Sequence, residues 1–328
     1  MKGGDMLKFS FRLPPGPRTV EYAILAEKLG YERIWCPEVP AFGHDIWITL
    51  ARVAERTTRI GIGPSVLVPS YRHPLAQATA IATVAALAPG RLAVGFGTGF
   101  TGRSGLGQRP LSLAYMRRYL QQVRGLLHGE AVEVEGAMVQ ILATEGWLPA
   151  RPIAVPLLLA AQGPKGRALA REVADGLIAL GTPEPGFDPC IVSLNGTVLE
   201  EGEELESPRV RAAAGPLVAA AYHSAWARDP ESVKRLPNGD RWLASVEQVP
   251  ERVRHLSVHR GHTIDMPNGH DDLIDISIAK RVSFTGTASE LRARLAELEA
   301  SGATEIALGT SGADVERELR AYASVAGL

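Results

Sequence analysis

The chain has 328 residues, 45% of them hydrophobic and 22% charged, with a formal net charge of −1. That balance is ordinary for a globular protein and offers no basic surface for nucleic acid or an anionic membrane. No apolar run reaches the roughly 18 residues that a membrane span requires, so the expected partner is a small molecule, with a homodimer left open. The start, MKGGDMLKFSFRLPPG, has no long apolar core and no signal-peptide cleavage pattern, and Met6 could serve as the native start. Cys36 and Cys190 are the only cysteines, and neither has a CxxC partner. Both read as packing residues, and a reducing cytoplasm is the expected setting.

Strand and helix patterns alternate along the first two-thirds. Lys8 to Leu13 alternates apolar and polar residues and is broken by Pro14-Pro15-Gly16-Pro17. Thr19 to Leu29 has helical spacing and stops at Gly30. Arg33 to Cys36 reads as a short strand, Asp45 to Arg56 as a helix and Thr58 to Leu67 as a strand. Pro74 to Leu87 is a helix rich in small residues, stopped by Pro89-Gly90. Arg91 to Gly97 is a strand that runs into Gly97-Thr98-Gly99, and Ala114 to His128 is a helix. Pro156 to Ala161 is the next strand, and Ala288 to Ala300, Glu305 to Gly309 and Asp314 to Val325 end the chain as helix, strand, helix.

The stretch LLLAAQGPKGRALAREVADGLIALG at Leu157 to Gly181 carries the most local information. An apolar run ends in Gln162-Gly163-Pro164-Lys165-Gly166, and a helical pattern starts at once. A helix N-terminus presents unpaired N–H groups and the positive end of the helix dipole, which favour an anion such as phosphate. Pro164 suits the first helical turn and Lys165 adds positive charge. The alternative is an ordinary βα turn whose glycines serve geometry alone.

Strands separated by helices of about 10–15 residues indicate βαβ units and a parallel sheet. Near-continuous apolar strands fit a sheet buried on both faces. Five or six such units plus the final helix–strand–helix make eight a natural count. The expected fold is therefore α/β, a (β/α)8 TIM barrel with irregular insertions at the C-terminal rim, with an open doubly wound sheet as the alternative. The whole of 1–328 reads as one barrel domain with insertions near 183–208 and 235–272. The run Glu200-Glu201-Gly202-Glu203-Glu204 reads as a solvated face. His255, His259, His262 and His270 cluster, but without cysteine and without a familiar zinc spacing. Val253, Leu256 and Val258 read as the apolar side of a helical turn with these histidines on its wet side, and no metal is expected.

AEKLGYERIWCPE at Ala26 to Glu38, the block Thr57 to Gly99, YLQQVRGLLHGEAVEVEG at Tyr119 to Gly136, GPKG at Gly163 to Gly166 and ADG at Ala174 to Gly176 occur in that order. Together they resemble the bacterial-luciferase-like flavin and deazaflavin oxidoreductases. The resemblance implies a (β/α)8 barrel with a flavin-type cofactor at the C-terminal strand ends, its phosphate held by Gln162, Gly163, Pro164, Lys165 and Gly166. It implies a cis Ser65–Val66 peptide, with Ser65, Val66, Leu67, Gly97, Thr98 and Gly99 against the cofactor. The Ser65-Val66-Leu67, Arg72-His73-Pro74 and Gly97-Thr98-Gly99 segments look most like the deazaflavin branch related to methylene-tetrahydromethanopterin reductase. Coenzyme F420 is thus the implied cofactor, and FMN the alternative.

The chain departs from that pattern at two points. Where many deazaflavin relatives have Asp-His after the second strand, this chain has Glu38-Val39, with His44 six residues on. Glu38 and His44 are the acid–base candidates by position; the alternatives are that Glu38 only bonds the cofactor or a backbone N–H, and that His44 caps a helix. Where sugar-phosphate dehydrogenases carry Glu after the GTG, this chain has Phe100. The Gly-rich loop that follows makes Phe100, Arg103 and Gln108 the expected substrate contacts. Trp35 and Trp47 read as packing. The implied activity is hydride transfer between reduced coenzyme F420 and a small organic substrate. The alternatives are an FMN-dependent luciferase-like monooxygenase and a non-catalytic flavin-binding partner subunit.

Overall fold

The computed structural model describes residues 6–266, 271–312 and 314–328. Eight parallel strands build the main sheet: β1 (Lys8–Arg12), β2 (Arg33–Cys36), β3 (Gly61–Pro64), β4 (Val94–Phe96), β5 (Leu157–Ala160), β6 (Gly176–Leu180), β7 (Cys190–Asn195) and β8 (Glu305–Gly309). Their order is β3-β2-β1-β8-β7-β6-β5-β4. The two ends of that order meet, because Ile62 bridges to Leu92 and Leu67 to Phe96. The sheet is therefore a (β/α)8 barrel, as the strand count predicts, and the open sheet is ruled out.

Helices α1 (Thr19–Leu29), α2 (Ile46–Arg56), α3 (Pro74–Leu87), α4 (Leu113–His128) and α5 (Pro164–Val173) connect the first six strands. Their ends follow local chemistry. The Asp45 carboxylate caps α2 by accepting from Trp47 N and Ile48 N, and Gly30 ends α1 at φ 93°. Inside the barrel Trp35, Ala93, Leu158, Ile178, Ile191 and Ala307 form one cluster. Gly63 makes room for it, since a Cβ there would stand 2.5 Å from the Trp35 ring. Trp35 Nε1 and Ser10 Oγ both donate to the buried Glu305 Oε1, at 2.8 and 2.5 Å, so the carboxylate does not go unpaired.

The chain divides into two compact units. The first is the described part of Met1–Phe100, with Pro110–Ser193 and Leu298–Ala307. The second comprises Thr101–Arg109, Leu194–Glu297 and the described part of Leu308–Leu328. The second holds α6 (Pro208–Arg228), α7 (Gly239–Glu247), α8 (Glu251–Val258), most of α9 (Ala288–Ala300), and α10 (Val315–Ala326). Val210, Val218, Tyr222, Trp242, Val246 and Val258 belong to its apolar core.

Three sequence expectations are corrected. The stretch 183–208, expected as one irregular insertion, contains barrel strand β7. The stretch 235–272 contains α7 and α8. The expected sidedness of the histidine segment holds only for the buried Val258: Val253 and Leu256 are exposed, whereas His259 and His262 are buried. Val258, at the end of α8, reaches the core, and the turn after it carries His259 and His262 inward. No helix among the described residues is long and apolar enough to cross a membrane.

Candidate active site

In the first unit the expected cofactor residues lie at the C-terminal ends of three adjacent strands. After β3, the Ser65–Val66 peptide is cis, at the position the resemblance implies. Ser65 N donates to Cys36 O at 2.8 Å, and Leu67 N to Gly95 O at 2.8 Å. After β4, Gly97 N donates to Leu67 O at 3.0 Å. A Cβ on Gly97 would stand 2.6 Å from Val66 Cγ2 and 3.7 Å from Ala160 Cβ. Val66, Gly97 and Ala160 thus bring the ends of β3, β4 and β5 together, and a side chain at Gly97 would drive Val66 outward.

After β5 the chain passes through Gln162 and Gly163 into α5, all exposed up to Lys165. Gly163 is the N-cap and supplies no side-chain cap. The first bond of the helix is Arg167 N to Gly163 O, 3.0 Å. The N–H groups of Lys165 and Gly166 therefore lack an intrahelical acceptor, and Pro164 has no N–H to offer. A Cβ on Gly163 would meet nothing within 4 Å. These residues fit a phosphate: open space, outward N–H groups, a helix dipole and a lysine. Arg167 is already held by Glu184, at 2.5 Å.

Glu38 follows β2 and is 4% exposed. Its Oε2 accepts from Val68 N at 2.9 Å, and its Oε1 pairs with Arg72 Nη1. Arg72 also reaches Asp45 Oδ2 at 2.5 Å, and Tyr119 OH donates to Arg72 O at 2.8 Å. Burial raises the Glu38 pKa, and the Val68 N–H and Arg72 work against that rise. Sequence reasoning missed Arg72 as the partner. The pair joins residues 34 apart, and no local spacing signals it. His44 is exposed, and its backbone N donates to Pro15 O at 3.1 Å. Asp45, not His44, caps α2. Burial pushes the Cys36 thiol up to about 12, which removes it as a nucleophile.

Phe100 closes this stretch of the first unit and is 43% exposed. Arg103 and Gln108 belong to the second unit. Arg103 Nε donates to Arg109 O at 2.6 Å, and Gln108 N to Arg103 O at 2.9 Å. Phe100–Ser104, expected as the start of a loop, is instead a short helix, and the turn after it is braced on Arg103, with the Gln108 side chain exposed.

The second unit brings His223, His259 and His262 together, one ring nitrogen of each lying within 4.8 Å of the others. Sequence reasoning singled out His259 and His262 but not His223, which lies on α6; His270 lies outside the described residues.

The chain is 27% identical over 194 residues to a 5,10-methylenetetrahydromethanopterin reductase of Methanolobus tindarius, a match covering 58% of each chain. It is 29% identical over 301 residues to an F420-dependent glucose-6-phosphate dehydrogenase of Nakamurella multipartita, covering 76% of this chain and 86% of that one. The solved structure of the coenzyme F420 dependent tetrahydromethanopterin reductase from Methanopyrus kandleri superposes with a TM-score of 0.68 at 18% identity, covering 97% of this chain and 98% of that one. Residues 8–305 match the family described as luciferase-like monooxygenase. The chain, a barrel with an open helix N-terminus beside a glycine-lined strand end, belongs to that luciferase-like family.

Proposed function

We propose that this chain is an oxidoreductase that transfers hydride between coenzyme F420 and a small organic substrate. The observation that carries the reading is the uncapped start of α5 beside Gly97-Thr98-Gly99, where a side chain on Gly163 would meet open space. The names of the reductase and dehydrogenase relatives support F420 as the cofactor.

F420, when bound, supplies the two-electron hydride chemistry. The chain's own residues hold and surround it. The N–H groups of Lys165 and Gly166 and the Lys165 ammonium bind a phosphate at the dipole end of α5. Val66, seated against Gly97, gives the strand ends an apolar face that excludes water. Glu38 fixes Val68 and Arg72 behind that face. Proton transfer falls to the Glu38 carboxyl and the His44 imidazole, a buried and an exposed group at the end of β2 and the loop after it.

Calorimetric titration of the purified protein with F420 and with FMN tests the reading. F420 is expected to bind at least about tenfold more tightly, a difference of about 1.4 kcal/mol. Tighter FMN binding would sink it in favour of the oxygen-activating monooxygenase. F420 binding with no turnover of any donor would leave a cofactor-binding partner subunit.

A further inference from the structure

The second unit buries three histidines for which the redox chemistry above has no use. His223 is 2% exposed, His259 3% and His262 9%. His223 Nδ1 and His262 Nδ1 are 3.0 Å apart. The ring centroids are separated by 5.3 Å for His223–His262, 5.3 Å for His259–His262 and 5.8 Å for His223–His259. A neutral imidazole carries one N–H donor and one lone pair. The 3.0 Å contact satisfies one donor and one acceptor. Neither ring nitrogen of His259 has a hydrogen-bond partner among the described residues. Buried polar groups are nearly always partnered, so a fully buried ring with two idle nitrogens facing two other imidazoles points to a missing ligand.

The chemistry of the donors selects that ligand. The cluster offers imidazole nitrogen, with no carboxylate or thiolate in it. Magnesium and calcium want oxygen, whereas imidazole suits zinc and its divalent first-row neighbours. Two nitrogens bound tetrahedrally at about 2.0–2.1 Å from zinc stand about 3.3 Å apart. The Nδ1 pair is near that spacing, and the 4.8 Å limit on the others asks only for small ring movements. The backbone supports the arrangement. His259 and His262 lie in the turn after α8, where Gly261 takes φ 67° and Thr263 φ 58°. That turn is pinned by Ser311 Oγ to Thr263 O at 2.6 Å and by Gly312 N to Ile264 O at 3.0 Å.

We propose that His223, His259 and His262 form a structural site for one divalent transition ion of the zinc class, which ties α6 to the turn after α8. Water completes the coordination.

Untagged full-length protein, freed of metal by chelator dialysis and then titrated with ZnCl2 and with CoCl2, tests the proposal. One ion per chain is expected, with a zinc Kd of about 1 μM or tighter and visible d–d absorption from cobalt on nitrogen ligands. Zinc is also expected to raise the thermal midpoint of the wild type. His259→Ala and His262→Ala should each weaken binding by at least about 100-fold, while His128→Ala, on the exposed surface, should leave it unchanged. Wild-type protein without stoichiometric binding overturns the proposal, as does unaltered binding in the His259 and His262 variants. If those variants fail to fold, the wild-type stoichiometry and cobalt spectrum decide alone.

Discussion

A side chain at Gly163 and one at Gly97 would meet opposite surroundings. At Gly163 it would enter open space, and the backbone sits at φ −91°, which any residue adopts. At Gly97 it would strike Val66 Cγ2 at 2.6 Å. Gly163→Val should therefore leave the thermal midpoint unchanged and weaken cofactor binding by at least about tenfold. Gly97→Ala should cost about 1–3 kcal/mol of stability by overpacking as well. Thermal melts and cofactor titrations on both variants check this, and unchanged affinity in Gly163→Val would remove the phosphate assignment. Glu38 gives a second contrast. Glu38→Gln keeps an oxygen for the Val68 N–H but loses the titrating carboxyl. Turnover should fall by about 100-fold with cofactor affinity held; a loss confined to affinity would make Glu38 a positioning residue only.

Among the elements, those whose partners are near in sequence were legible in advance. The ends of α1 at Leu29 and α3 at Leu87 fall where the reading placed them, next to Gly30 and before Pro89-Gly90. β7 was not, because Cys190–Asn195 sits between Pro, Gly and Glu stretches, and Ser193 and Asn195 interrupt its apolar residues. The acidic run beside it was only half legible. Glu200 and Glu201 are exposed, as a solvated face should be. Glu203 instead accepts from Arg209 Nε at 2.6 Å. Arg209 Nη1 also reaches the buried Glu318 at 3.3 Å, and Glu318 accepts from Thr197 Oγ1 at 2.7 Å. The Arg209 hydrogen bonds lower the Glu203 carboxyl from 4.5 to about 2. A depressed carboxyl contributes stability above its unfolded pKa and loses it as pH falls through the folded value. Glu203→Gln should thus cost about 1 kcal/mol at pH 7, and its gap from wild type should narrow as pH falls from about 4.5 toward about 2. Urea unfolding of both proteins across that range measures it, and a gap independent of pH would show that the ion pair is not its source.

For the whole molecule, local segments were easier to read from the sequence than groupings made by the tertiary fold. The turn proposed to hold a phosphate is local, with strand, glycines and helix start contiguous from Leu157 to Val173. His223 needed the tertiary fold, since it meets His262 across 39 residues. Of the residues proposed to contact the substrate, Phe100 is the one with a direct consequence. The chain is 29% identical to an F420-dependent glucose-6-phosphate dehydrogenase. Even so, glucose-6-phosphate is not expected to be a substrate. In sugar-phosphate dehydrogenases of this type a Glu follows the GTG, and here that position holds an aromatic ring, 43% exposed. A phenyl ring neither accepts a proton nor hydrogen-bonds a sugar hydroxyl, and its exposed face favours a flatter, more apolar acceptor. Steady-state assays with F420 and glucose-6-phosphate should give no turnover above the enzyme-free rate, and Phe100→Glu alone should not suffice to create it if the loop also sets the pocket. Robust wild-type turnover would mean that another acid, with Glu38 the first candidate, performs the missing step, and the specificity assigned to Phe100 would fall.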